Sequence, residues 1–450
     1  MPHGPSFADT IRRMSNDEYL TAAQLEAHPG LDDWRCLSRG AAAWFATASH
    51  TDGARLVGRV LQVAARHGHP IPDLDLRQRG VQVRLPRGQD GFSPRAVALA
   101  REISSEARGL GLNSDTAVVQ DVQLTMDTAD PGPLMAFWEV ALGYQQDGEE
   151  DVVDPGRRHP PIWLQGLDTP RPHRHRIHLD SVATQEVSVA THDALVSQGA
   201  VSVHHGYYAT VADPEGNEVD VLPLPENSDR WQQSGTEDWR LVFAAMACYP
   251  VGSTARAADL VTGVASLADD ADLPLSIDLR ADQASGCIVV TLDTGKDLWE
   301  VDEGYLGLAR ATQQQARALG LSADTARPRF VQIGLDAADI PRCRKFWCAA
   351  LGYVEDPRPD VTDIVDPRRL GPVLFFQPLD TADEQRVAQR NRTHLDVFLP
   401  HDRAEERLDA VLAAGGRVVR DSAPFWWTVA DPEGNEVDIS VTVGREERWG

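Results

Sequence analysis

One long motif occurs twice in the sequence, and it constrains the fold more than any other feature. TVADPEGNEVD stands at residues 210–220 and again, unchanged, at residues 428–438. Upstream, ALGY, [VI]VDP and R-x-HLD also recur in the same order. The offset between the two copies drifts only from 209 to 218 residues, as short loop insertions would produce. A repeat of this extent predicts two equivalent halves, each built from the same structural units.

The duplication continues upstream of these motifs. DWR at residues 33–35 matches DWR at 238–240, and DLR at 75–77 matches DLR at 278–280. Each half is therefore about 210 residues long, which is sufficient for two domains. Short polar segments divide each half again. The predicted domains are residues 14–112, 117–225, 236–321 and 328–444.

Composition excludes several classes of partner. The net charge of −25 arises from 68 acidic and 43 basic residues, and such a surface repels nucleic acid and anionic lipid. The sequence contains no apolar run near the ~20 residues that a membrane-spanning helix needs. Its first twenty residues show no secretory signal, and its five cysteines form no CxxC. We expect a cytoplasmic protein with a small-molecule ligand, bound neither to nucleic acid nor to a membrane.

Apolar and polar residues alternate in the second domain of each half, as in half-buried strands. If the apolar faces of these strands pack on helices, the polar faces line one concave sheet. Gln123, His178 and Asp220 lie on polar faces of three different strands. The repeat supplies the corresponding residues of the second half, which are Gln332, His394 and Asp438.

The motifs F-W-x3-LGY, VDP, R-x-HLD and DPEGNEVD together resemble the vicinal oxygen chelate superfamily, in its glyoxalase-like and bleomycin-resistance-like branch. The resemblance covers about 110 residues in each half. It implies an α+β fold of paired βαβββ modules, with four strand residues that hold a divalent metal. The first ligand position falls on Gln123 and Gln332, the third on His178 and His394, and the fourth on Asp220 and Asp438.

The second ligand position departs from the family pattern. The family has glutamate there, whereas this sequence offers Trp163 or Gln165 in one half and Phe375 or Gln377 in the other. Two interpretations of these sites are possible. Each site could hold one divalent metal, or the histidine and aspartate could form a metal-free cavity wall.

Aromatic residues on the same strands favour a flat, apolar ligand. The residues predicted to bind a small, aromatic metabolite are Trp163, Gln165, Tyr208, Phe375, Gln377 and Trp426. In an enzyme of this superfamily, Glu218 or Glu436 could move a proton.

The first domain of each half resembles pterin-4a-carbinolamine dehydratase. That family has two adjacent histidines before a proline and a third histidine on a strand, and they map onto Gly68, His69 and Gln82. In the second copy residues 271–274 contain no histidine. His69 is therefore the candidate catalytic residue of a residual dehydratase. The alternative is a retained fold with a structural or dimerising role.

Three functions follow from these resemblances. The first is a metal-assisted vicinal oxygen chelate enzyme, such as a lyase. The second is a metal-free protein that sequesters a ligand, and the third is a residual pterin dehydratase. Because some members of the superfamily complete their cavity across a dimer, we expect this chain to form that pair internally. Gln123 would then share a cavity with His394 and Asp438, and Gln332 would share one with His178 and Asp220. Whether two such chains also form a homodimer is a question that the sequence leaves open.

Overall fold

The computed structural model describes residues 19–282 and 284–449. In this part of the chain, twenty-four strands form three sheets of eight strands each. Twelve helices accompany them, and none of these is long and apolar enough to cross a membrane. We call the sheets the base sheet, sheet I and sheet II. Residues 14–18, where the first predicted domain begins, lie outside the described residues.

The base sheet consists of four strands from the upstream part of each half, in the order β1-β2-β4-β3-β15-β16-β14-β13. Strands β3 and β15 pair antiparallel and join the two halves, with Asp75 directly opposite Asp278. The strands are β1 (Arg35–Leu37), β2 (Gly40–Ala46), β3 (Asp73–Arg77), β4 (Gly80–Leu85), β13 (Arg240–Val242), β14 (Ala244–Val251), β15 (Ser276–Ala281) and β16 (Ile288–Asp293).

Helices of both halves pack with this sheet into one apolar core. They are α1 (Ala22–Glu26), α2 (His50–His67), α3 (Pro94–Gly109), α6 (Thr254–Ala271), α7 (Leu298–Val301) and α8 (Gly304–Ala318). Helix α2 begins where Ser49 accepts a backbone N–H bond and ends at Gly68 in the left-handed conformation. His50 is fully buried, and its ring lies 2.8 Å from Asp269 of the second half. The upstream domains therefore form one unit.

Sheets I and II each combine one module of each half. Sheet I has the order β22-β23-β24-β21-β5-β8-β7-β6, and sheet II has the order β10-β11-β12-β9-β17-β20-β19-β18. The strands of sheet I are β5 (Asp121–Thr128), β6 (Gln145–Asp147), β7 (Asp151–Val153), β8 (Ile162–Gly166), β21 (Thr393–Leu399), β22 (Arg417–Ser422), β23 (Trp426–Ala430) and β24 (Glu436–Val441). The strands of sheet II are β9 (Ile177–Ala183), β10 (Val201–His204), β11 (Ala209–Ala212), β12 (Glu218–Leu222), β17 (Arg329–Ala337), β18 (Val354–Glu355), β19 (Ile364–Val365) and β20 (Leu374–Pro378).

Each module follows the predicted βαβββ order. The remaining helices are α4 (Pro131–Leu142), α5 (Gln185–Ser197), α9 (Ile340–Leu351), α10 (Glu384–Ala388), α11 (Ala404–Ala413) and α12 (Arg445–Trp449). The apolar faces of all four modules meet in a second core, which contains Leu124, Leu179, Ile333 and Leu395. The predicted α+β fold with duplicated, paired βαβββ modules is confirmed.

The repeated DPEGN turn ties neighbouring modules together. Asp213 accepts a hydrogen bond from the backbone N–H of Glu215 at 2.9 Å and from the indole N–H of Trp138 at 3.2 Å. Trp138 lies on α4, which belongs to the other module of the same half. The second copy repeats the contact, with Asp431 accepting from Trp347 at 3.1 Å. The FW and DPEGN motifs are therefore the two ends of one buried contact.

The glutamate of the same turn connects the two halves. Glu215 accepts hydrogen bonds from the Thr128 hydroxyl at 2.8 Å and from the backbone N–H of Ala129 at 3.0 Å. Its other oxygen binds the guanidinium of Arg392, which precedes β21 of the second half. DPEGN is thus more than a good turn sequence, because its side chains hold the modules in place.

The VDP motifs form loops that dock on the base sheet. Arg157 and Arg158, which follow the first motif, bind Asp73 and Asp278 of the base sheet, each at 2.8 Å. In the second half, the Arg369 backbone carbonyl accepts a hydrogen bond at 3.0 Å from Arg77. A cavity of about 330 Å³ remains between the loops and the sheet, lined largely by arginine and aspartate side chains. The base sheet therefore holds sheets I and II through a network of buried charges.

Candidate metal and ligand sites

Two clusters of histidine and aspartate lie at equivalent places in sheets I and II. Site I is His394, Asp396 and Asp438, and site II is His178, Asp180 and Asp220. In each cluster, one potential ligand atom per residue lies within 4.8 Å of the others. The cluster residues lie on β21 and β24 in site I and on β9 and β12 in site II. These strand pairs are parallel neighbours, with Asp396 opposite Asp438 and Asp180 opposite Asp220.

Each cluster is completed by a glutamine from the other half. At site II, the side-chain amide of Gln332 donates to Asp180 at 2.7 Å. At site I, the amide of Gln123 donates to Asp396 at 3.2 Å. The antiparallel pairing of β17 with β9 and of β5 with β21 places these residues opposite one another. The structure thus brings Gln123 beside the cluster of the second half and Gln332 beside that of the first.

Sequence reasoning did not name Asp180 and Asp396 as ligands. The signal was present in the R-x-HLD motif, because residues two apart on a strand face the same side. In the structure the Nε2 atom of His178 lies 3.7 Å from Asp180, and that of His394 lies 3.7 Å from Asp396. Burial raises the pKa of Asp180 to about 6 and that of Asp396 to about 6.

Several buried oxygen atoms of these sites have no hydrogen-bond donor. They are Oδ1 of Asp180 and Oε1 of Gln332 at site II, and Oδ1 of Asp438 at site I. Leaving a buried acceptor unpaired is unfavourable, and a cation would satisfy it. An imidazole nitrogen with carboxylate and amide oxygens is a donor set that suits a divalent metal. The residues present therefore fit such an ion.

The two sites support their histidine differently. Gly334 lies directly opposite His178 in sheet II, and a Cβ atom at this position would overlap the imidazole ring. In sheet I the corresponding residue is Thr125, opposite His394. The Thr125 hydroxyl donates to Asp396 at 2.7 Å. A close backbone approach thus shapes site II, whereas a hydroxyl orients the aspartate of site I.

Site I opens into a cavity of about 660 Å³. Three predicted binding residues, Trp163, Gln165 and Trp426, line it together with the cluster. Gln165 donates to Asp127 at 2.5 Å, and Trp163 donates its indole N–H to Glu150 at 3.1 Å. The cavity is also lined by the following residues: Gln123, Asp151, Asp168, Arg390, Phe398, Val419, Arg420, Thr428, Glu436, Ser440 and Arg445.

At site II, the predicted binding residues Phe375 and Gln377 contact the histidine. The ring of Phe375 meets that of His178 edge-on, with the centroids 5.6 Å apart. The amide nitrogen of Gln377 lies 3.1 Å from Nε2 of His178. Tyr208 stacks on His205 at 4.6 Å, and burial, with a contribution from Asp220, raises the pKa of Tyr208. Gln377 thus reaches the site-II histidine, whereas Gln165 donates to Asp127.

The glutamates predicted to move protons each bind an arginine. Glu218 accepts from Nε of Arg174 at 2.8 Å, and Glu436 accepts from Arg390 at 2.6 Å. Glu436 lines the site-I cavity. Both carboxylates thus have a guanidinium partner in the structure. Their role in moving a proton stays a prediction.

The base sheet does not bring the dehydratase positions together as an acid and a base. Nδ1 of His69 lies 2.7 Å from the carbonyl of Pro70. Gln82 donates weakly to Asp75 at 3.4 Å and lines the cavity beneath the VDP loops. The neighbouring His67 binds Glu102 of α3 at 2.6 Å. Among the described contacts of His69 there is no second titratable group, so the acid–base pair that dehydration needs is not assembled there.

The histidines at 173 and 175 are not part of the clusters. His175 is buried, and its Nδ1 accepts the backbone N–H of Arg392 at 3.2 Å. The backbone N–H and carbonyl of His173 both bind the side chain of Gln389. Both residues therefore help to hold the two halves together.

Comparison with known proteins identifies the domains that carry the two sites. Residues 123–222 and 332–440 match the family described as glyoxalase-like domain. The chain thus contains two glyoxalase-like domains of the vicinal oxygen chelate superfamily, and the matched residues include both clusters. No curated protein sequence matches the chain. A solved structure from Bacillus subtilis strain 168, provisionally described as a dioxygenase, shares 8% identity with a TM-score of 0.34, over 71% of this chain and 84% of that one. This likeness is too distant to bear on the function.

Proposed function

We propose that the two glyoxalase-like domains form two divalent-metal sites that bind a small aromatic metabolite through adjacent oxygen atoms and act on it. The observation that carries the proposal is the pair of equivalent clusters whose buried oxygens lack donors. The ligands would be His394, Asp396 and Asp438 with Gln123 at site I, and His178, Asp180 and Asp220 with Gln332 at site II. A bound divalent ion would supply Lewis-acid polarisation of the metabolite's oxygens.

The chain's own residues orient the ligands of these sites. At site I, the amide of Gln123 and the hydroxyl of Thr125 both donate to Oδ2 of Asp396. These donors fix the carboxylate and leave its second oxygen directed toward His394, 3.7 Å away. Hydrogen bonds of this kind typically tune metal affinity by about 10- to 100-fold. Because both donors come from the first half, neither half completes site I alone.

The aromatic side chains that line site I would contact the bound ligand. Trp163, Phe398 and Trp426 line a cavity large enough for a ring system beside the cluster. Such a wall excludes water from one side of the bound metabolite, which strengthens the polar contacts on its other side. Glu436 and Glu218 are the proposed proton-moving groups, and each must first release its arginine.

Metal stoichiometry tests the proposal directly. The full chain, stripped with chelator and titrated with Zn²⁺ in a calorimeter, should bind two ions. His178→Ala and His394→Ala should each bind one, and the double variant should bind none. His192→Ala is the matched control because His192, which contacts Ser202, lies outside both clusters. If both single variants still bind two ions, the assigned ligands are wrong.

A second function has one observation in its favour. The site-I cavity is wide and partly aromatic, which also suits a protein that sequesters a ligand without chemistry. If the chelator-treated chain binds aromatic compounds as tightly as the metal-loaded chain, sequestration replaces the metal-dependent function.

A further inference from the structure

Arg445 places a positive charge in the wall of site I. Its guanidinium donates to the backbone carbonyls of Val441 at 2.7 Å and Phe425 at 3.3 Å, and it lines the cavity. Among the ion pairs of the described residues, none involves Arg445. Arginine has five N–H donors, so two carbonyl contacts leave donors available to a ligand. A half-buried guanidinium with neutral partners is suited to an anion that enters the cavity.

The charge of Arg445 acts on the same region as the cluster. Burial lowers the pKa of Arg445, and Asp396 and Asp438 oppose this by raising it. The two aspartates are therefore near enough for their charges to act on the guanidinium, although neither forms an ion pair with it. If a divalent ion engages both carboxylates, Arg445 is free to face the ligand.

The second half of the duplication supplies an internal comparison. The backbone N–H of Ser228 donates to the carbonyl of Pro225, as that of Arg445 donates to Thr442. Asn227 and Gly444, the residues just before, both have a positive φ. This shared pattern places Ser228 opposite Arg445. Near site II, Lys296 binds Asp363 and Arg174 binds Glu218, so both cations already have a carboxylate partner. Within the described residues, these two cations near site II therefore differ from Arg445 of site I, which forms no ion pair.

A second arginine lies beside the same aromatic wall. The guanidinium of Arg420 lies 5.5 Å from the ring centroid of Trp426, and that of Arg445 lies 5.4 Å from it. A bulge in β22 shifts the register so that Arg420 stands opposite Thr428. In sheet II the residue at this register, opposite Thr210, is Val203. At the position where site I has Arg420, site II therefore has an uncharged residue.

We infer that site I is specific for an anionic aromatic metabolite, such as an aromatic carboxylate with adjacent ring oxygens. The oxygens lie toward the cluster of His394, Asp396 and Asp438, and the anionic group binds Arg445, with Arg420 as the outer cation. Site II has Ser228 and Val203 in these places. It should therefore bind the anionic and the uncharged members of a pair equally well. This inference rests on the proposed metal-dependent function and adds the substrate class of one site.

The test compares matched probes on the full, Zn²⁺-loaded chain. Catechol and protocatechuate have the same adjacent oxygens, and only the second carries a carboxylate. A vicinal dihydroxynaphthalene and its sulfonate form a larger pair. Calorimetric titration is carried out on His178→Ala, which keeps site I, and on His394→Ala, which keeps site II. Bound Zn²⁺ is measured separately in every sample.

At site I, the anionic member of a pair should bind at least about tenfold more tightly, as expected for a hydrogen bond between charged groups. Arg445→Met should abolish this preference, and retained Zn²⁺ binding reports that the variant is folded. Arg445→Lys should retain part of the preference. Ser228→Arg should create a preference at site II. Arg420→Met should reduce the preference at site I by a smaller factor.

Three results would overturn the inference. Equal binding of both members of each pair at site I would remove the anionic specificity, and so would a preference that survives in Arg445→Met. Failure of all four probes on a chain that holds Zn²⁺ would exclude this substrate class while the metal sites stand. A chain that binds no Zn²⁺ would refute the proposed function itself, and the inference with it.

Discussion

At the scale of single residues, the two sites are equivalent in their clusters and different in their surroundings. The histidine and both aspartates are the same in each site. Around them, Gly334 of site II corresponds to Thr125 of site I, and each lies opposite the cluster histidine. A duplicated chain can change one such residue without altering the other site. The differences therefore show where the two sites have become specialised.

Gly334 provides the first prediction. Gly334→Ala places a methyl group against the imidazole of His178, so the ring must leave its present position, in which Nε2 lies 3.7 Å from Asp180. We expect the Zn²⁺ affinity of site II to fall by about tenfold or more, with site I unchanged. Gly166→Ala is the control, because a Cβ atom there meets nothing within 4 Å. Calorimetry that shows two unchanged sites in Gly334→Ala would contradict the prediction.

His175 provides the second prediction, on acid stability. Burial, reinforced by the surrounding arginines, lowers its pKa from 6.5 to about 3. His175 therefore takes up a proton near pH 6.5 in the unfolded chain, but only near pH 3 in the folded chain. The folded state loses stability as the pH falls from about 6.5 toward 3. Between pH 7 and pH 5, the free energy of unfolding should fall by about 2 kcal/mol because of His175.

Asn391 holds the equivalent place in the second half and accepts the backbone N–H of Arg176 at 3.0 Å. His175→Asn therefore copies a residue that the fold already uses. In urea unfolding at several pH values, this variant should lose less stability than the wild type between pH 7 and pH 5. Parallel losses in the two proteins would show that His175 does not carry the effect.

At the scale of helices and strands, local patterns predict most elements, and contacts between distant elements stay hidden. Apolar spacing predicts a helix over residues 53–66, and the structure has it at His50–His67. Alternation predicts the polar faces that carry His178 and Asp220. The register that places Gln332 opposite Asp180 joins strands 152 residues apart, and it is set by packing in the shared core. No local pattern contains that information.

The aromatic residues show the same limit. Phe375 and Trp426 reach the sites, whereas their neighbours Phe376 and Trp427 belong to the buried core. Alternation separates the two members of each pair, but it does not state which face is the core. That choice depends on the helices that cover one side of each sheet.

The contact between the DPEGN turn and the FW helix gives the third prediction. Asp213→Ala leaves the indole of Trp138 and the backbone N–H of Glu215 without an acceptor, which should destabilise the chain by about 3 kcal/mol. Trp138→Phe should cost about 1–2 kcal/mol. In the double variant the losses should be less than additive, because one interaction is removed only once. Asp431→Ala with Trp347→Phe repeats the test in the other half, and full additivity in both urea cycles would refute the coupling.

At the scale of the whole molecule, the duplication has produced two cores that both halves share. The base sheet and its helices enclose one core, with Leu74 and Ile277 from different halves. Sheets I and II enclose the other, with residues from all four modules. The sequence repeat therefore does not correspond to two separate folding units. Each site depends on residues from both halves.

This arrangement predicts that damage in one half reaches both sites. Leu179 is buried in sheet II, on a strand of the first half, and Leu179→Ala should destabilise the shared core by about 3 kcal/mol. Because sheets I and II enclose the same core, hydrogen exchange measured by mass spectrometry should show equal losses of protection in β9 and in β21. Leu74→Ala, in the core of the base sheet, is the comparison, and it should reduce protection in β3 and β15 first. If Leu179→Ala lowers protection in β9 alone, sheets I and II unfold independently, which would contradict the prediction.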